Sequence, residues 1–194
     1  QGLEEDPDNH HARISHARAL YLSGQAAPTR ENLEAVLDMH PRNALAAFLL
    51  GVLLDTEGDP DAARSLYERV LALQPEHAGA AHHLGLLAFR EGDWPTAARL
   101  LTQAGERFPD NSLARVLGLV AQLRAGAAED AVLEALEAVA EALPRHPLPR
   151  YALARLLSAG EDPALREAPR GLDLAQGLRL SGPIPPVFEA LALA

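Results

Sequence analysis

Residues 44–77 read ALAAFLLGVLLDTEGDPDAARSLYERVLALQPEH, and residues 78–111 read AGAAHHLGLLAFREGDWPTAARLLTQAGERFPDN. Laid one over the other, the two lines agree in their columns. Leu50-Gly51 falls over Leu84-Gly85, Gly58-Asp59 over Gly92-Asp93, Ala63 over Ala97 and Pro75 over Pro109, each at an offset of 34 residues. A period of that length marks stacked helical hairpins, because one hairpin alone cannot bury its apolar face and needs a neighbour.

The totals agree with close-packed helices. The chain has 194 residues, 48% hydrophobic but only 4% aromatic, rich in Ala and Leu. Sheets would favour β-branched and aromatic side chains instead. All 17 basic residues are Arg, which we attribute to GC-rich coding and not to function. The formal net charge of −10 and the lack of a basic stripe argue against nucleic acid as a partner. With no cysteine there is no disulfide, zinc ribbon or thiol catalysis to consider, and the compartment, cytoplasmic or periplasmic, is left open. No apolar run approaches the roughly 18–20 residues that span a bilayer. The chain starts at Gln1 without an initiator Met, so it is expected to be cut or processed, and a signal or anchor could lie upstream.

Taken in order, residues 1–9 form an acidic lead, and five units follow: 10–43, 44–77, 78–111, 112–146 and 147–183, with 184–194 opening a sixth. Asn9 is the expected N-cap of the first helix and Gly24 its left-handed stop. The second helix is expected to begin after Pro28 with Thr29 as its cap. Asp59 followed by Pro60 repeats a cap-then-Pro start, and Gly92-Asp93 followed by Trp94-Pro95 uses the same grammar. The fourth unit is one residue longer: Gly126 follows Gly118 by eight where the earlier units have seven. Leu117-Gly118 is read as continuing the Leu-Gly column, and Ala131, Ala135 and Ala138 as the close-contact positions of the following helix. The fifth unit inserts about six residues around Asp162-Pro163 before a helix over 170–180. Val187 to Ala194 would begin a further helix and stop in its middle, which predicts more repeats in the parent protein or self-association through that end.

These columns resemble the tetratricopeptide repeat family, in a bacterial-type form. The family pattern wants Leu at position 7, a small residue at 8, Ala at 20, an aromatic at 24, Ala at 27 and Pro at 32. The second unit supplies Leu50, Gly51, Ala63, Tyr67, Val70 and Pro75; the third supplies Leu84, Gly85, Ala97, Leu101, Ala104 and Pro109. The first unit departs from it at His16 and Thr29. Position 4, usually Trp, holds Arg13, Ala47, Ala81, Ala114 and Arg150. The resemblance implies an all-α, right-handed solenoid of stacked antiparallel helix pairs.

It also implies a ligand surface on the concave face, at positions 2, 5, 9, 12 and 13 of each first helix. Projection places His11, Ile14, Arg18, Tyr21 and Leu22 there, then Leu45, Phe48, Val52, Asp55 and Thr56. The third unit contributes Gly79, His82, Leu86, Phe89 and Arg90. The fourth contributes Ser112, Arg115, Leu119, Gln122 and Leu123; the fifth Leu148, Tyr151, Arg155, Ser158 and Ala159. From these, Arg18, Tyr21, Phe48, His82, Phe89, Arg90, Arg115, Gln122, Tyr151 and Arg155 form the candidate groove, aromatic and locally basic. Aromatics with Arg are the side chains that anchor interfaces. Guanidinium groups pair with carboxylates, so the expected ligand is a protein or peptide segment with acidic and apolar residues. The carboxylate clamp of chaperone-tail binders does not match, since Ile14 and Arg18 stand where Lys and Asn would be needed.

Catalytic patterns do not surface: there is no phosphate loop, nucleophile elbow or His-Glu-x-x-His. His10, His11 and His16 have the wrong spacing for ligands on one helical face, and adjacent His82 and His83 are expected to point apart. No cofactor, metal or catalytic residue is expected. The leading expectation is a non-catalytic protein-interaction scaffold. The alternatives are a repeat arm of a larger glycosyltransferase, sulfotransferase or hydroxylase, and a bacterial envelope assembly factor of the cytochrome c maturation or pilus type.

Overall fold

Four helices begin where side chains one period apart replace the missing backbone partners of the first turn. Residues 9, 43, 77 and 111, spaced by 34, hold Asn9, Asn43, His77 and Asn111. Asn9, Asn43 and Asn111 accept from the N–H of Ala12, Ala46 and Ala114 at 3.0 Å each, and His77 Nδ1 accepts from Ala80 N–H at 3.1 Å. The computed structural model describes residues 9–159 and 170–174. The helices given names are α1 (His10–Leu22), α2 (Ala26–Met39), α3 (Ala44–Glu57), α4 (Pro60–Leu73), α5 (Ala78–Glu91), α6 (Trp94–Arg107), α7 (Ser112–Arg124), α8 (Glu129–Ala142) and α9 (Pro147–Ala159). Residues 170–174 are also helical.

The turns inside hairpins pass through Gly24, Gly58, Gly92 and Gly126, with φ of 76°, 86°, 78° and 94°. Only glycine adopts that left-handed backbone without cost, so these four are the true stops. Asp59 then caps α4 by accepting from Ala62 N–H at 3.1 Å, with Pro60 in the first turn. The expected cap at Thr29 is not one. α2 starts three residues earlier at Ala26, Pro28 sits within its first turn, and Thr29 is buried with its hydroxyl donating to the Gln25 carbonyl at 2.6 Å. A Pro is tolerated there because first-turn N–H groups have no intrahelical acceptor to lose.

The chain divides into two units, residues 1–87 and 88–194, with the division inside α5. In the first, α1 pairs with α2 and α3 with α4; α3 also packs on α2 and touches α1. Its core holds Ile14, Ala17, Leu33, Val36, Ala46, Ala47, Leu53, Ala63, Tyr67 and Val70, all at most 3% exposed. Arg30 of α2 is ion-paired with Glu57 of α3, and Arg69 donates to the Pro41 carbonyl.

In the second unit α6 packs on α7, α7 on α8, and α9 on both α7 and α8. Ala97, Leu101, Ala104, Ala114, Val116, Val132, Leu136 and Leu157 form its core. The contact residues of α8 are Val132, Leu136 and Val139, not Ala131, Ala135 and Ala138. The extra residue of this repeat lies after Gly126. The N-cap follows the turn glycine by one residue at Gln25, Asp59 and Asp93 but by two at Ala128. One added residue turns every later position by about 100°, which moves the alanines off the buried face. The Leu-Gly column also slips. Gly118 stands seven residues after its N-cap Asn111, the place that Leu50 takes after Asn43. A methyl group there would meet the α6 backbone at Thr102 at 3.2 Å, so Gly118 permits contact with the preceding helix. Residues 170–174 dock on α9, with Gly171 over Ser158, and Arg170 pairs with Glu137 of α8 at 2.6 Å. The expectations for residues 1–8, the Asp162-Pro163 insertion, the helix beyond Leu174 and the run from Val187 lie outside the described residues.

Candidate functional site

The inner face expected from the sequence breaks into residues that reach solvent and residues that pack. Ile14, Ser112 and Leu148 were projected onto it, yet each is 3% exposed. Ser112 spends its hydroxyl on the His146 ring, 3.0 Å away. A helix in a stacked array touches neighbours on two sides, so the strip left to a ligand is narrower than five positions per repeat.

In the first unit, Arg18 and Tyr21 project outward from α1, and Tyr21 is 39% exposed. They line a cavity of about 100 Å³ together with Ala17, Leu22, Thr29, Leu33, Leu49 and Val52. α1 supplies its last two turns, α2 its start, and α3 its middle. Arg18 is the one charged side chain in that lining, and it has no ion pair with the described residues.

Phe48 takes the other course. Its ring, half-buried, lies 4.8 Å from the His77 ring, 5.8 Å from His83 and 6.2 Å from Tyr67, and it covers Gly79. Tyr67 stacks on His83 at 5.3 Å, and His83 approaches Asp55 at 3.8 Å. This aromatic and imidazole cluster was missed in the sequence. Its members come from α3, α4, α5 and the turn before α5, and His83 stands 34 residues after Leu49, a polar residue where the preceding repeat has an apolar one. His82 and His83, expected to diverge, meet edge to face at 5.4 Å. Burial, with His83 beside it, pushes the His82 imidazole down to about 4. His10 likewise gathers partners, with ring centroids 4.0 Å from His11 and 4.5 Å from His40. Among the described residues no three His or carboxylate groups are arranged to hold a metal ion.

In the second unit, Phe89 is only 8% exposed and meets Trp94 edge to face at 5.3 Å. Arg90 and Arg155 are exposed, and Tyr151 is half-buried. Arg115 lays its stem over Gly105 and donates to the Pro109 carbonyl at 3.2 Å. Gln122 donates to the Thr102 hydroxyl at 2.9 Å. Arg115 and Gln122 are thus bonded to α6 or its following turn.

Models of the tetratricopeptide repeat match residues 14–78 and 56–123, so they jointly span more than half of the chain. The chain belongs to the tetratricopeptide repeat family and has its all-α solenoid fold. Among solved structures it is similar to YrrB, described as a TPR protein with an unusual peptide-binding site. That match has TM-score 0.76 and 19% identity, over 93% of this chain and 94% of that one. MamA from AMB-1 gives 0.73 at 23% identity, covering 97% and 99%. PilF of Pseudomonas aeruginosa gives 0.72 at 19%, covering 95% and 80%. At these identities the likeness is one of fold. No curated protein sequence matches the chain. No helix among the described residues is long and apolar enough to cross a membrane.

Proposed function

We propose that this protein is an interaction scaffold that holds a segment of a partner protein against the first-helix faces of its repeats, without catalytic work of its own. The fold supports the scaffold role. The observation that carries the finer reading is made in each unit by itself: Arg18 and Tyr21 in the first, and Arg90 and Arg155 in the second, are exposed on first helices in a chain of net charge −10. Guanidinium groups there favour carboxylates, and the apolar surroundings of Tyr21 favour aliphatic neighbours, so the ligand is an acidic and apolar peptide.

Charge reversal tests the face. Arg90→Glu with Arg155→Glu should weaken peptide capture in a pull-down or by anisotropy. The far-ultraviolet CD signal and the melting temperature should stay close to the parent, because both side chains are exposed. Arg99→Glu with Arg107→Glu, exposed on the second helix of a hairpin, is the control. Capture that survives the first pair and fails with the second would move the binding surface to the other face.

A further inference from the structure

The residues that line the cavity between α1, α2 and α3 change in chemistry one repeat on, as the columns show. Adding 34 to Leu33 and Leu49 gives Tyr67 and His83, and adding 34 to Ala17 gives Gly51. In the second repeat the Tyr67 and His83 rings stack at 5.3 Å, and Tyr67 lies so close over Gly51 that a methyl group there would fall 2.8 Å from the ring. The rings occupy the space. In the first repeat two leucines stand in their place and about 100 Å³ remains open. The mouth differs as well. Where the second repeat has Val52, Asp55 and Thr56, the first has Arg18, Tyr21 and Leu22. Leu22 is 83% exposed and Tyr21 39%, an apolar rim with a guanidinium beside it.

We infer that this cavity is a side-chain pocket for a partner peptide, taking one branched aliphatic residue that stands next to an Asp or Glu. The inference rests on the peptide-scaffold reading above and names its subsite. An apolar cavity of about 150 Å³ accepts benzene, so one of about 100 Å³ suits an aliphatic side chain. The polar groups in the lining constrain the rest. The Thr29 hydroxyl is committed to the Gln25 carbonyl, which leaves the Arg18 guanidinium and the Tyr21 hydroxyl to meet the ligand. Arg18 has no ion pair with the described residues, and a guanidinium forms a charge-assisted hydrogen bond with a carboxylate placed beside it. The acidic peptide also complements the one positive group of this rim.

A random dodecapeptide library displayed on phage is the probe, panned against the whole chain and against two variants. The parent should enrich peptides with Leu, Ile or Val beside Asp or Glu. The graft Ala17→Gly, Leu33→Tyr, Leu49→His copies the second repeat's own filling of this space, so it should fold with unchanged CD and lose that motif. Arg18→Gln should keep the aliphatic preference but bind a synthetic peptide of the enriched sequence about tenfold or more weakly. Should the graft misfold, methyl NMR of the parent decides, since the peptide should shift Leu33, Leu49 and Val52. Enrichment that persists in the folded graft overturns the pocket. Peptides lost only with Arg90→Glu and Arg155→Glu would also overturn it while leaving the scaffold reading intact. A parent that enriches no peptide removes both. Shifts of the same methyls on raising protein concentration without peptide would assign the pocket to a second copy and overturn the inference.

Discussion

Gly51 and Tyr67 show how one residue pair sets the spacing of a hairpin. Tyr67 is fully buried, and its Cε1 would stand 2.8 Å from a Cβ on Gly51, closer than packed carbons come. In an ordinary helix Gly→Ala gains about 1 kcal/mol, so the sign here depends on the ring. We expect Gly51→Ala to destabilise by about 1–3 kcal/mol, because the ring must leave its place. In a Tyr67→Leu background the same change should be neutral or stabilising, as Ala17 with Leu33 already coexist in the first repeat. A double-mutant cycle from urea unfolding checks this, and additive effects would break the pairing. His82 offers a second test. Its folded-state pKa is about 4 against an ordinary 6.5. The unfolded chain therefore binds the proton more readily between those values. Stability is full above pH 6.5 and falls as pH drops toward 4. His82→Gln should lose less stability than the parent over that window, and an imidazole NMR titration should find His82 titrating well below 6.5. Acid sensitivity equal in variant and parent would show that desolvation of His82 is not the cause.

Helices here are bounded by caps that recur at 34 residues, and the caps differ in quality. Asn111 accepts a 3.0 Å bond from Ala114 N–H, so Asn111→Ala should cost about 1 kcal/mol in chemical unfolding. Neither Gln25 nor Ala128 caps through its side chain. Gln25→Ala should then be close to neutral, and Ala128→Asp should stabilise by about 1 kcal/mol through a new bond and the favourable end of the helix dipole. A stabilising Ala127→Asp with a neutral Ala128→Asp would instead place the start of α8 one residue earlier. The same single residue explains the shift from Ala131, Ala135 and Ala138 to Val132, Leu136 and Val139. A period counted in sequence stays in register only while every turn keeps its length.

The whole molecule is acidic and its proposed ligand is acidic, which makes binding kinetics informative. At low ionic strength the field of −10 charges opposes the approach of such a peptide. Salt shortens the range of that repulsion to about 8 Å at 0.15 M, whereas a direct contact between a guanidinium and a carboxylate lies well within that length. The association rate of an acidic peptide should therefore rise as salt goes from about 0.01 M to 0.15 M, with a smaller change in dissociation rate. Stopped-flow anisotropy measures both. A rate that falls steeply with salt would mean that a local positive field steers the ligand.

Much of the architecture was legible in the sequence because it is written in local chemistry. Left-handed turns demand Gly24, Gly58, Gly92 and Gly126, caps demand short polar side chains, and small residues recur where helices cross. These requirements act within a few residues, so period and class follow from the chain alone. The binding face was only partly legible, since exposure depends on neighbours from other helices. Projection could name Arg18 and Tyr21, but not that Ile14 and Ser112 would turn inward or that Arg115 would bend to Pro109. It could not show that Leu33 and Leu49 leave open a space which Tyr67 and His83 fill one repeat later. Burial and cavity volume are sums over side chains brought together by packing, and that sum is decided only when the hairpins are stacked.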